Sequence, residues 1–248
     1  RQLTMPGVTS PRSQQPHKPR VLYITSRGHS GSTLLSLLTS GNSQIVSAGE
    51  LKMLTNPNPE RRLCSCHRLV PDQCPFWGAV QKRVLAAVGR PLDQLVLGDN
   101  GDDSSFLADN EALFAAITAV SGAALIVDSS KSLPRLSRLL AAEAQGAAFT
   151  LHPVHLQRGP FGSMNSARKK GDQLRQAAYN CARLFFLSRE LLQGSRALRI
   201  YYEQLAANPR AEMARVMDWL QLPLEEGQFH WRDGVRRDIH GNAMRFDS

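Results

Sequence analysis

Apolar and polar positions along this chain fall into blocks of two kinds. Short, nearly continuous apolar runs occur at 20–26, 44–50 (QIVSAGE), 123–130 (AALIVDSS), 149–157 (FTLHPVHLQ) and in ALRIYYEQL at 197–205. Runs of this length, bounded by Ser, Gly or charge, are the pattern of strands buried on both faces. Between them, apolar residues recur at helical spacing. Leu34, Leu35, Leu37 and Leu38 follow the first run and stop at Ser40-Gly41-Asn42. Leu113, Phe114, Ile117 and Val120 mark a helix over 111–120, and further helices are predicted at 134–144 and around 161–170. Ala177, Ala178, Cys181, Leu184, Phe185, Leu191 and Leu192 predict a long buried-face helix over 174–192. Met213, Val216, Met217 and Leu220 predict a last one.

Alternation of strand and helix predicts an α/β fold: a single domain over 20–248, with a mostly parallel β-sheet flanked by helices. Two stretches interrupt the rhythm. Residues 55–72 are rich in Pro, Asn, Arg and Cys, and 89–105 carry Gly, Asp and Asn. Both read as irregular insertions, the first reaching about residue 77. Residues 1–19 hold Pro, Ser, Gln, Arg and Lys without the apolar segment of a signal peptide, and read as a flexible tail.

Composition narrows the picture. Hydrophobic residues make up 42% of the chain, ample for a core and too many for a disordered protein. No apolar run approaches the ~20 residues of a membrane span. A formal charge of +9 predicts affinity for an anion. The basic residues are dispersed and no recognition motif accompanies them, so nucleic acid is not the expected partner. A cytoplasmic location is expected, with a truncated luminal domain as the alternative because the chain starts at Arg1.

In an open parallel sheet the ligand lies beyond the carboxyl ends of the strands, and four strand ends carry polar residues here. The first opens into Gly28-His29-Ser30-Gly31-Ser32-Thr33. Gly28 and Gly31 let the backbone turn, the following helix start exposes N–H groups, and Ser32 and Thr33 add hydroxyls, which together make an anion loop. A nucleoside-triphosphate loop would place a lysine before Ser32; this chain has none. The second end carries Glu50, which alone reads as a surface glutamate. The third, Asp128-Ser-Ser-Lys131, reads equally as a helix cap or as hydroxyls and a cation at the sheet's edge. The fourth brings Arg158, whose planar fork suits phosphate, with Ser166 eight residues later.

As a set these motifs resemble the sulfotransferases that use 3′-phosphoadenosine 5′-phosphosulfate (PAPS), in the bacterial and tyrosylprotein-like branch with a P-loop-like fold. GHSGSTLL (28–35) is similar to that family's 5′-phosphosulfate loop, and Arg158 with Ser166 to its 3′-phosphate motif. IYYEQLAANP and the tail HGNAMRF are similar to further family segments, so the resemblance spans roughly 20–246. It implies that Ser30, Gly31, Ser32 and Thr33, with Arg27 and Gly28, hold the 5′-phosphosulfate. It implies that Arg158 and Ser166 hold the 3′-phosphate, with Tyr202 and Arg245 near the nucleotide. Glu50 matches a glutamate that serves as general base. His29 departs from the family's Lys or Arg, which leaves His29, Lys131 or Arg27 to stabilise the leaving group.

The activity expected is sulfuryl transfer from PAPS to a hydroxyl of a small molecule or carbohydrate, by in-line displacement with no metal required. The alternatives are a degenerate P-loop kinase and a non-catalytic nucleotide- or polyanion-binding module. His152 and His155 rival Glu50 as base, although their strand positions favour ordinary packed histidines. Cys64, Cys66, His67 and Cys74 offer four zinc-type ligands in one loop, but the spacing departs from C-x₂-C pairs. Packing or a local disulfide is the expected role of these cysteines. The insertions 55–72 and 89–105 and the stretch 225–237 are expected to wall an acceptor pocket.

Overall fold

The computed structural model describes residues 18–246 apart from 29, 170, 172, 234 and 235, and the side chain of 167. Five strands form one sheet: β1 (Arg20–Thr25), β2 (Ile45–Gly49), β3 (Leu125–Asp128), β4 (Thr150–Gln157) and β5 (Leu198–Tyr201). Their order is β2-β3-β1-β4-β5 and every pair is parallel. The α/β architecture expected from the alternating pattern is therefore observed.

Successive strand residues face opposite layers, which is why the middles of β1 and β3 are apolar on both faces. Strand β4, by contrast, carries His152 and His155, and the edge strand β5 carries exposed Arg199. Val21, Tyr23, Ile126 and Leu151 enter one core, with Trp77, Phe114 and Leu136 from α2 (Pro75–Val88), α3 (Asp103–Ser121) and α4 (Leu133–Ala144). Leu22, Ile24, Val127, Val154 and Ile200 enter the other. There they meet Leu35 and Leu38 of α1 (Ser32–Ser40) and Met213 and Val216 of α8 (Pro209–Leu220). Between the last two strands lie α5 (Pro160–Arg168) and α6 (Leu174–Leu191), and α7 (Tyr202–Ala207) follows β5 directly.

Three elements differ from expectation. Helix α2 lies where an irregular segment gives way to loop: Pro75 sits in its first turn, Gly89 ends it at φ 69°, and Trp77, Val80 and Val84 are buried. Its i, i+3, i+7 spacing is present in the sequence but is hidden beside the Cys- and Pro-rich stretch. Helix α3 begins at Asp103, earlier than its apolar pattern, because the Asp102 side chain accepts the Ser105 N–H at 2.8 Å. The stretch 89–105 is less a loop than a strap, since Leu92, Leu95 and Leu97 are buried in the first core. It does not line the cavity described below.

Helix α6 overturns the expectation of a long buried face. Only Ala177 and Ser188 are buried along it, while Tyr179, Phe185 and Phe186 are exposed. The helix packs on α4 and α5 at the border of the fold, so one narrow stripe suffices to hold it.

The C-terminal segment covers the sheet's β2 edge. Ile239 bridges to Gly49, donating to Ala48 O at 3.0 Å and accepting from Glu50 N at 2.8 Å. An edge that would otherwise expose unpaired backbone is closed by the chain's own tail.

Candidate functional site

The carboxyl ends of four strands converge on one cavity of about 520 Å³. Gly28, Gly31, Ser32 and Thr33 enter it after β1, Glu50 after β2, Lys131 after β3, and Arg158 and Ser166 after β4. Tyr202, at the start of α7, forms a further side.

The loop after β1 is shaped by one glycine. Gly31 adopts φ +91°, and a Cβ there would stand 2.3 Å from a carbon of the Tyr202 ring. Gly28 meets no such limit, since nothing lies within 4 Å of the position a Cβ would take. Helix α1 starts immediately after Gly31 with no side chain capping its N–H groups. Those donors and the positive end of the helix are directed at the cavity that Ser32 and Thr33 line.

Arg158 and Tyr202 form a stacked pair, with the guanidinium carbon 4.2 Å from the ring centroid. Glu203, next in the chain, accepts the Gly159 N–H at 2.9 Å and ties α7 to the loop that carries Arg158. Ser166 lies two turns into α5 on the same cavity.

Glu50 and Lys131 face each other across the floor. Lys131 Nζ donates to Glu50 Oε1 at 2.5 Å, and Glu50 is only 7% exposed. Lys131 occupies φ 60°, a left-handed conformation costly for a residue with a side chain, so its loop must be held from outside. Asp128, fully buried, accepts from the Ser130 amide (2.9 Å) and hydroxyl (2.5 Å), and pairs with buried Arg135 at 3.0 Å. The Tyr23 hydroxyl donates to Ser132 O and accepts from Ser132 N, at 2.8 and 3.1 Å. The Ser130 hydroxyl also accepts the Lys52 N–H at 3.1 Å, and Ser132 caps α4. The hydroxyl of Ser130 thus holds the loop together and is not presented to the cavity, while Lys131 is.

The last wall is one that no strand-end motif announced. His240, Gly241, Asn242 and Met244 complete the cavity, and Asn242 N donates to Thr33 Oγ1 at 3.4 Å. His240 also has a left-handed backbone, at φ 57°. Burial pushes its imidazole below the ordinary value, with Lys131 and Arg245 adding to the effect and Glu50 opposing it. Of the tail, it is this segment and not 225–237 that lines the site.

Three expected cofactor residues, Arg27, Ser30 and Arg245, lie outside the lining of this cavity. Arg27 Nη1 reaches Ser163 O at 3.3 Å and Cys181 Sγ at 3.2 Å, and with Ser30 it borders a second cavity of about 310 Å³ beneath α5. Arg245 is 6% exposed and donates to Leu63 O (2.8 Å) and Asp238 O (3.0 Å), so it fastens the tail and does not line the cavity. His29 lies outside the described residues. His152 and His155 are packed on β4, as their strand positions suggested. His152 Nε2 accepts from Arg20 at 3.3 Å and its ring meets Trp219 edge-on, while His155 Nδ1 pairs with the Gln157 amide at 3.1 Å. Burial lowers both to about 4, and neither lines the site that holds Glu50.

No protein-family model matches the chain, and no curated protein matches it in sequence. Solved structures do match in fold. The sulfotransferase domain of the Synechococcus PCC 7002 olefin synthase aligns at TM-score 0.54 and 18% identity, over 92% of this chain and 82% of that one. The sulfotransferase domain of the curacin biosynthetic pathway aligns at 0.55 and 18%, over 94% and 83%. A sulfotransferase from Mycobacterium tuberculosis H37Rv aligns at 0.51 and 13%, over 86% and 70%. The chain has the fold of these sulfotransferase domains. Among the described residues, no helix is long and apolar enough to cross a membrane.

Proposed function

We propose that this protein moves the sulfuryl group of PAPS to a hydroxyl of a small-molecule or carbohydrate acceptor. The observation that carries the reading is the meeting, in one cavity, of two anion-binding arrangements with a carboxylate–ammonium pair between strand ends. One arrangement is the uncapped start of α1 with Ser32 and Thr33, the other Arg158 with Ser166. A nucleotide with two separated anions matches that division; a terminal triphosphate would ask for a lysine the first loop lacks.

The fit of PAPS rests on the residues present. Gly31 leaves the helix start bare, a cavity of about 520 Å³ suits a nucleotide, and the donor set is cationic and hydroxylic without a cluster of carboxylates. When bound, PAPS supplies the activated sulfuryl group. Ser32, Thr33 and the N–H groups of α1 hold its 5′ end, and Arg158 and Ser166 its 3′-phosphate. Tyr202 keeps Arg158 flat and in place.

Glu50 is the general base. Lys131 engages its Oε1, which directs Oε2 to take the acceptor's proton as the oxygen attacks. Lys131 stands beside that carboxylate to offset the negative charge developing on the bridging oxygen, a role the turned-away Arg27 is not placed to fill. Positioning and fixed charge do most of the work in transfers of this kind.

The test is a PAPS-dependent screen of hydroxylated acceptors, read by a mass gain of one sulfuryl group. Binding of adenosine 3′,5′-bisphosphate is compared in parallel with ATP plus magnesium. Tight binding of the bisphosphate and transfer to an acceptor are expected. Preference for ATP with phosphoryl transfer would replace the reading with a kinase.

A further inference from the structure

We propose that Cys64, Cys66 and Cys74 form a binding site for one thiophilic d¹⁰ cation, zinc or copper(I), separate from the nucleotide cavity. The three Sγ atoms lie within 4.8 Å of one another, and those of Cys66 and Cys74 are 3.5 Å apart. Thiolates sharing one ion at metal–sulfur distances of ~2.3 Å stand roughly 3.8 Å apart, so the sulfurs are already near the spacing an ion would impose.

The backbone builds this convergence on purpose-made supports. Cys64 to Arg68 form a tight turn: Cys64 N donates to Arg68 O at 3.0 Å, His67 N donates to Cys64 O at 2.9 Å, and His67 takes φ 63°. Leu63 and Leu69 pair across it as an antiparallel bridge. Inside the turn, the Cys66 amide donates to Cys64 Sγ at 3.5 Å. An N–H group aimed at sulfur favours thiolate over thiol, and here it works against the burial that pushes the Cys64 thiol up. Cys74 arrives from the other side, immediately before α2, where the helix start adds its positive end.

Three neutral thiols gain little from such supports, and three thiolates this close repel unless a cation joins them. Binding would release the thiol protons to solvent and place the ion against three sulfurs. These complete a trigonal copper(I) centre, or three positions of a zinc tetrahedron with water in the fourth. His67, the fourth zinc-type side chain of the loop, is exposed and stacks on Phe246 at 4.6 Å, so the protein ligands in this geometry are sulfur only.

A site here would also pin the active cavity's last wall. The turn holds the tail through Ser65 N to Asp238 O (2.9 Å), Asp238 N to Ser65 Oγ (3.1 Å) and Arg245 to Leu63 O. His240 follows directly.

The full chain, purified without chelators and under mild phosphine reductant, is analysed for zinc and copper. About one equivalent of one of them per chain is expected, strongly reduced in Cys66→Ser and retained in Cys181→Ser. Protein stripped of metal is titrated with cobalt(II), and thiolate-to-cobalt absorption in the near ultraviolet should grow to one equivalent and vanish when zinc is added. That titration needs no variant to fold. Absence of both stoichiometric metal and the cobalt band overturns the proposal. So does a chain lighter by two hydrogens with Cys66 and Cys74 joined as a disulfide.

Discussion

The ring of Tyr202 occupies the space into which a side chain on Gly31 would project, with a ring carbon 2.3 Å from the ideal Cβ position. Loop and ring are therefore fitted to one another, and the same ring stacks on Arg158. Gly31→Ala should lose nucleotide binding and cost ~1–3 kcal/mol of stability, from the positive φ as well as the clash. Calorimetric titration with adenosine 3′,5′-bisphosphate and a thermal melt check this. In the double variant with Tyr202→Ala the steric part should be relieved while the backbone part persists, so the two changes will not add.

Glu50→Gln should reduce kcat by roughly 10²–10⁴-fold while leaving bisphosphate affinity within about twofold. Steady-state kinetics on the first acceptor found will measure it. An unchanged kcat would remove Glu50 as base and direct attention to His240, the titratable side chain of the tail wall.

Arg158→Ala should weaken bisphosphate binding by about 10- to 100-fold, the worth of charge-assisted hydrogen bonds to a phosphate. Affinity for adenosine 5′-phosphate, which lacks the 3′ group, should change far less. Equal losses for both ligands would place the 3′-phosphate elsewhere.

Arg135→Met should destabilise the fold by ~3–5 kcal/mol, because Asp128 would be left buried with its charge uncompensated. Denaturant unfolding reads the loss. Replacing both residues by apolar ones should recover much of it, but the Ser130 contacts that hold Lys131 would be gone and turnover should stay low.

Stability should fall as pH drops from about 6.5 toward 4. His152 and His155 are lowered to about 4, chiefly by burial, so across that window the unfolded chain takes up protons that the folded one refuses. The stabilisation is complete above the unfolded value and is lost as the folded value is approached. The two histidines together should contribute a fall of about 3 kcal/mol after allowing for partial solvent screening, with buried Asp238, whose carboxyl is raised, opposing it at the acid end. Unfolding at pH 7.5 and 4.5 measures it, and His152→Gln should flatten the profile.

The sequence alone determined the sheet and the four strand ends. A strand buried on both faces is apolar along most of its length, so residues 21–24 of β1 and 125–127 of β3 stand out without context. Chemistry at the ends of parallel strands must lie on one side of the sheet, which is why Thr33, Glu50, Lys131 and Arg158 could be grouped from their positions. Side-chain direction carries no such local signature. Whether Arg27 and Arg245 face the cavity depends on Ser163, Cys181 and Leu63, all remote in sequence, and on how the tail folds Arg245 back onto Asp238. Helix α6 looked buried because its spacing is apolar, and only its place outside α5 exposes Phe186. The tail's course beside β2, the fit of Gly31 to Tyr202 and the meeting of three sulfurs were decided by tertiary structure. Local sequence sets what each segment can form, while long-range packing alone sets which groups become neighbours.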